Sequence, residues 1–122
     1  MKKIIVYGIP NCDMIKKTLL WFKNNNINVE FHDYKNSGIT KDKLAGWIKK
    51  AGLEIILNKR STTWRELPVK EQQKINGPIP AIRLMMENTS IIKRPLIEYG
   101  DKVFVGSDET AYLNYFLNQG KK

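Results

Sequence analysis

The sequence predicts an α/β fold in which an N-terminal βαβ unit and a C-terminal ββα unit enclose a helical insertion. Three observations predict it. Strand, helix and strand patterns follow one another within residues 3–34, a hairpin signal stands at Tyr99-Gly100-Asp101, and capped helices with apolar faces fill the stretch between them. The length of 122 residues fits one domain, 1–122. The core is expected at about 1–36 and 90–119, and the insertion at about 37–89.

The elements follow in order. Lys3-Ile4-Ile5-Val6-Tyr7 is a β-branched run suited to a buried parallel strand, and Gly8-Ile9-Pro10-Asn11 ends it as a turn. A helix should follow, with Asn11 as N-cap and Asp13 at its positive end. Ile15, Leu19 and Phe22 recur on one helical face, and Asn24-Asn25-Asn26 closes it. Asn28 to Tyr34 alternates and reads as the second strand. Thr40 should cap a helix carrying Leu44, Trp47, Ile48 and Ala51, stopped by Gly52. Glu54 to Leu57 is a short helical piece, and Ser61-Thr62-Thr63-Trp64 is a loop or a cap. Pro68 to Ile75 and Pro80 to Glu87 are further helices, separated by Gly77-Pro78. Ser90 to Glu98 reads as a strand interrupted at Lys93-Arg94-Pro95, and Lys102 to Val105 pairs with it. Asp108 should cap a last helix with Ala111, Tyr112, Tyr115, Phe116 and Leu117. This order is a thioredoxin-like arrangement with helices inserted between its halves. Pro95, just before or within the third strand, fits it, since such folds carry a cis proline there, and X–Pro is the peptide bond for which cis is cheap.

Composition excludes several classes. The single cysteine, Cys12, cannot form an intramolecular disulfide or a zinc finger, and the single histidine, His32, cannot supply a multi-histidine metal site. No metal site is therefore expected. No apolar run approaches the ~20 residues of a membrane span. Only four apolar residues follow Met1-Lys2-Lys3 before Gly8, too short for a signal-peptide core. The expectation is a soluble, cytoplasmic protein, and at this size a monomer.

The formal charge is +9, from 21 Lys+Arg against 12 Asp+Glu. The lysines are spread along the chain, which reads as a solvated surface and not as a specific nucleic-acid footprint. The arginines are four: Arg60, Arg65, Arg83 and Arg94. Arginine grips oxyanions through paired hydrogen bonds, so its scarcity makes each position informative.

A lone cysteine is either a small buried hydrophobe or a reactive thiol. Cys12 stands at the strand-to-helix junction, where helix N–H groups favour a thiolate. Lys16, one turn on, favours it too, while Asp13 opposes it. His32 reads as structural, and Trp21, Trp47 and Trp64 as packing.

Four ordered blocks carry a family resemblance. They are Tyr7-Gly8-Ile9-Pro10-Asn11-Cys12-Asp13-Met14-Ile15-Lys16-Lys17, Phe31-His32-Asp33-Tyr34, Leu57-Asn58-Lys59-Arg60-Ser61-Thr62-Thr63-Trp64-Arg65 and Ile91-Ile92-Lys93-Arg94-Pro95-Leu96. Together they resemble the ArsC/Spx family, most closely its YffB-like branch, over essentially the whole chain. The resemblance implies a thioredoxin-like fold with a helical insertion. It implies that Cys12 is the nucleophile, that Arg60 and Arg94 hold an oxyanion or a glutathione carboxylate with Asn11 and Lys16 beside the thiol, and that Pro95 is the cis proline.

The chain also departs from the arsenate reductases of that family. Gly8 stands in the stretch where they carry a histidine, Val105-Gly106-Ser107 offers no third arginine, and Asp13 would repel arsenate. Ile9 and Ile15 flank Cys12 at three residues' distance, so no Cys-x-x-Cys switch exists. Three functions follow from the resemblance. The first is a glutathione-dependent thiol reductase with one cysteine, no bound cofactor, and glutathione or a glutaredoxin-type thiol as co-substrate. The others are an Spx-like regulator with RNA polymerase as partner, and an arsenate reductase.

Overall fold

The computed structural model describes residues 3–106 and 114–117. The chain divides into two compact units, Met1–Asp33 with Arg94–Lys122, and Tyr34–Lys93.

The first unit begins with strand β1 (Ile4–Gly8), helix α1 (Asp13–Asn24) and strand β2 (Glu30–Asp33). After the second unit it continues with β3 (Leu96–Tyr99) and β4 (Lys102–Val105). The sheet order is β2-β1-β3-β4. β1 and β2 are parallel, as a βαβ crossover requires, and β1–β3 and β3–β4 are antiparallel. The hairpin is the tight one read from the sequence. Tyr99 pairs with Lys102, which leaves Gly100-Asp101 as the loop, and Gly100 takes a φ of 61° that suits glycine.

The apolar cluster of this unit lies on one sheet face, while Tyr7 and Leu96 are buried on the other. Val6, Ile15, Phe22, Ile97 and Phe116 are buried together, with Ile4, Leu19, Phe31, Tyr99, Phe104 and Tyr115 packed around them. Phe116 meets Phe22 edge-on at 5.4 Å and Phe104 at 5.3 Å between ring centroids, within the range where aromatic pairs gain beyond their area. Phe116 and Tyr115 lie in the helical residues 114–117. The expected cap Asp108, with Ala111 and Tyr112, lies outside the described residues. Thr18 is the buried polar residue of α1, and its hydroxyl donates to the Met14 carbonyl at 2.8 Å.

The second unit is helical: α2 (Tyr34–Ser37), α3 (Lys41–Ala51), α4 (Leu53–Ile56), α5 (Thr62–Glu66), α6 (Val69–Gln73), α7 (Pro78–Glu87) and a 3-10 turn (Thr89–Ile91). α3 starts at Thr40, whose hydroxyl accepts from the Lys43 N–H at 3.2 Å, and ends at Gly52, φ 98°. Ser61 caps α5 by accepting from the Trp64 N–H. Leu44 and Trp47 from α3, Ala81 and Met85 from α7, and Ile56, Trp64, Ile91 and Ile92 are buried. Leu57 bridges Ile92, with Asn58 N–H to Ile91 O at 2.8 Å and Lys93 N–H to Ile56 O at 2.9 Å.

Several local expectations are corrected. The N-cap of α1 is Cys12, not Asn11, because Cys12 keeps extended backbone (φ −137°, ψ 123°) while its carbonyl accepts the first helical bond from Lys16 at 3.0 Å. The alternation of 28–34 overstates β2. Asn28 and Val29 stay outside the ladder, and Tyr34 opens α2. Residues 90–95 are not strand but a 3-10 turn and an isolated bridge, and β3 starts only after Pro95, which has no N–H to give a ladder. α7 starts two residues early, with Pro78 in its first turn, where a missing N–H costs nothing.

The caps give a direct test. Thr40→Ala should lower unfolding free energy by about 1 kcal/mol in urea titrations, whereas Asn11→Ala should stay within about 0.5 kcal/mol. The reverse ranking would contradict these cap assignments.

Candidate active site

Strand register determines which segments meet at the thiol's end of the sheet. Tyr7 pairs with Leu96, and Gly8 with Asp33. Leu96 pairs with Val105, and the Gly106 N–H donates to the Pro95 carbonyl at 2.8 Å. So the loop from Gly8 to Cys12, the end of β2, the Arg94–Pro95 segment and the end of β4 all leave the sheet at one end. The Arg94–Pro95 peptide bond is cis.

Cys12 is half-buried there, packed against the core cluster and unpaired with any other sulfur. It is the N-cap of a 12-residue helix, and no side chain caps that helix's first turn. The first-turn N–H groups have no intrahelical acceptor, so they form a donor set at the start of α1 that suits a bound anion. Asp13 lies in the same turn and is exposed, as are Asn11 and Lys16, one residue before and one turn after the cysteine. Met14, exposed to 37%, adds an apolar side chain at this end of α1.

The structure therefore gathers Asn11, Cys12, Lys16, Arg94 and Pro95 into the first unit. Arg94 is half-buried and Pro95 is buried. Arg60 belongs to the second unit. It is exposed in the turn after α4, where its N–H donates to Asn58 Oδ1 at 3.1 Å and Ser61 N–H donates to the Asn58 carbonyl. Among the described residues no group of three or more His, Cys, Asp or Glu could hold a metal. None of the described helices is long and apolar enough to cross a membrane.

Two features behind the thiol escape sequence reading. The first is Gly8. A Cβ built there would meet Ile15, with Cγ1 at 2.7 Å and Cδ1 closer still. Ile15 is β-branched and fully buried, so it cannot swing aside cheaply. Gly8 is thus matched by an isoleucine in the first turn of α1 that fills the space above it. Nothing in the strand pattern signals this, because the contact is between the sheet and its own crossover helix.

The second feature is a polar group on the opposite sheet face from the Val6 core. The Tyr7 hydroxyl donates to Glu98 Oε1 at 2.9 Å, and the His32 ring lies 4.8 Å from the Tyr7 ring. Tyr7 is 3% exposed. Burial, the bond to Glu98 and the Glu98 and Glu30 charges all push its hydroxyl above the ordinary tyrosine range. The strand register, with Tyr7 opposite His32, places the two rings on one face. The Glu98 partner, 91 residues away, was not legible.

The family model for the ArsC family matches residues 7–115. An uncharacterized protein of Haemophilus influenzae is 38% identical over 109 residues, covering 89% of this chain and 95% of its own. The solved structure of a YffB protein is 35% identical with a TM-score of 0.86, covering 92% of this chain and 97% of that one. An arsenate reductase (ArsC) related protein from Brucella melitensis is also 35% identical, with a TM-score of 0.74 over 93% of this chain and 94% of its own.

Two predictions follow from these contacts. Gly8→Ala should destabilise the fold by about 1–3 kcal/mol, measured in urea, through overpacking against Ile15; a neutral effect would show that Ile15 yields. Tyr7 keeps its proton beyond about pH 10, where unfolded tyrosine releases it, so its contribution to stability is complete below that pH and is lost as pH rises towards the folded value. At about pH 11 the folded protein and Tyr7→Phe should show equal phenolate absorbance, and on unfolding the wild type should gain one tyrosine's worth more than the variant.

Proposed function

The chain belongs to the ArsC family of arsenate-reductase-like proteins, and on that premise we propose that it is a glutathione-dependent thiol reductase working with one cysteine. The observation that carries the proposal is the position of Cys12, half-buried at the N-cap of α1 and at the same end of the sheet as the cis Arg94–Pro95 bond. Helix N–H donors at that position support a thiolate nucleophile.

In the proposed cycle the Cys12 thiolate attacks the glutathione sulfur of a mixed disulfide. The substrate S–S bond breaks, the substrate leaves as a thiol after taking a proton, and a Cys12–glutathione disulfide forms. A second glutathione thiolate then attacks the bound glutathione sulfur. Oxidised glutathione leaves and the Cys12 thiolate returns. The substrate is reduced by two electrons and two glutathione sulfurs become one disulfide. An external thiol is required because the chain has no second cysteine.

Arg94 is assigned to a carboxylate of glutathione in this reading, with Asn11 and Lys16 flanking the thiol. Arg60 is assigned the same anion-binding role on family resemblance alone. Gly8, with its space filled by Ile15, leaves no room for the histidine that the arsenate reductases carry in this stretch. That observation favours a thiol substrate over arsenate.

The test is steady-state reduction of a small glutathione mixed disulfide, coupled to glutathione reductase. Cys12→Ser should lose all activity above background. Arg94→Ala should lower kcat/KM for the glutathionylated substrate by about 10- to 100-fold, the loss expected of one charge-assisted contact. Wild-type turnover no faster than free glutathione would reject the proposal, and retention of RNA polymerase by the inactive protein would favour a regulator instead.

A further inference from the structure

We propose that the groove between α3 and α7 is a second binding site, for a small amphipathic anion of the medium-chain carboxylate class. The groove is open to solvent on one side and holds about 480 Å³, lined by Lys41, Asp42, Ala45, Ile79, Ile82, Arg83 and Met86. That volume falls within the range of small-molecule sites.

The composition of α7 is the first argument. Its buried side is complete, with Ala81 and Met85 inside the helical unit. Ile79, Ile82 and Met86 form a separate apolar stripe at three- and four-residue spacing, with Ile79 exposed to 76% and Met86 to 43%. Ile82 between them is half-buried, so the fold leaves the Ile79 and Met86 ends of the stripe uncovered. α3 faces it with Ala45, whose small side chain leaves the cavity open where a larger one would fill it.

Charge is the second argument. Lys41 and Arg83 stand at the groove, and among the described residues neither forms an ion pair or a side-chain hydrogen bond. Asp42 contributes one opposing carboxylate, so the groove carries a net charge of +1 from two cations and one anion. An apolar wall beside an unpaired guanidinium suits a ligand with one anionic head and a hydrocarbon body. The carboxylate would take two parallel bonds from Arg83, and the chain would cover Ile79, Ile82 and Met86. The site lies wholly within the helical unit and uses no residue assigned to the thiol chemistry.

The test is an NMR titration of the full chain with decanoate below its micellar range. Decyltrimethylammonium, with the same tail and the opposite charge, and acetate, the head alone, serve as counter-probes. Decanoate should shift amides of α3 and α7 saturably, and neither counter-probe should do so. Arg83→Glu should weaken decanoate binding about tenfold or more with the melting temperature unchanged, since the side chain is exposed. Should that variant fail to fold, Lys41→Glu replaces it with the same expectation. Asp42→Asn should tighten binding by removing the opposing charge. Absence of saturable shifts, equal binding of the cationic amphiphile, or indifference to both charge reversals would overturn the proposal.

Discussion

The pairing of β1 with β3 is the constraint on which the first unit rests. It joins Ile4–Tyr7 to Leu96–Tyr99 and so ties together segments separated by the whole helical unit. Closing such a long loop is entropically costly, and many contacts depend on that one closure. Val6 and Ile97 face the core together, β4 reaches the sheet only through β3, and the Tyr7–Glu98 bond spans the same pair. Register also carries the chemistry. With Tyr7 opposite Leu96, the Cys12 junction and the cis Arg94–Pro95 segment leave the sheet at one end. A slip of one residue would turn Val6 and Ile97 out of the core.

Packing behind the thiol bears on selectivity as much as the residues beside it. Gly8 and Ile15 form a matched pair in which the crossover helix occupies the space above the strand end. That space is where a longer residue in the loop before Cys12 would begin. The chain thus commits this position to core packing, and the thiol's polar surroundings come from the first turn of α1 and from exposed Asn11 and Lys16.

Much of this was legible in the sequence, and the failures have physical causes. β1, α1, the tight hairpin and the Thr40-to-Gly52 helix were readable because local chemistry decides them: β-branched runs, a hydroxyl cap, and glycines at turns and helix ends. Asn11 was mistaken for the cap because its side chain is the better capper in general, while the chain's path into α1 gives that place to Cys12. The strand expected from Ser90 was misread because its apolar residues, Ile91 and Ile92, are buried through a 3-10 turn and a single bridge to Leu57, a tertiary contact no local pattern records. The two residues taken as anion binders by resemblance, Arg60 and Arg94, fall in different units, and spacing along the chain could not have revealed that. The groove is illegible in the sequence for a similar reason. Ile82, Met85 and Met86 are alike apolar in the sequence, and only the structure shows Met85 buried, Ile82 half-buried and Met86 exposed.

The central claim is that Cys12 forms a reversible covalent link with glutathione at this helix end. Intact-mass spectrometry after equilibration with oxidised glutathione tests it most directly. The account predicts one glutathione adduct on the wild-type chain, mapped to the peptide containing Cys12, and removed by reduced glutathione. A chain that stays unmodified under those conditions, or an adduct that reduced glutathione cannot release, would contradict it.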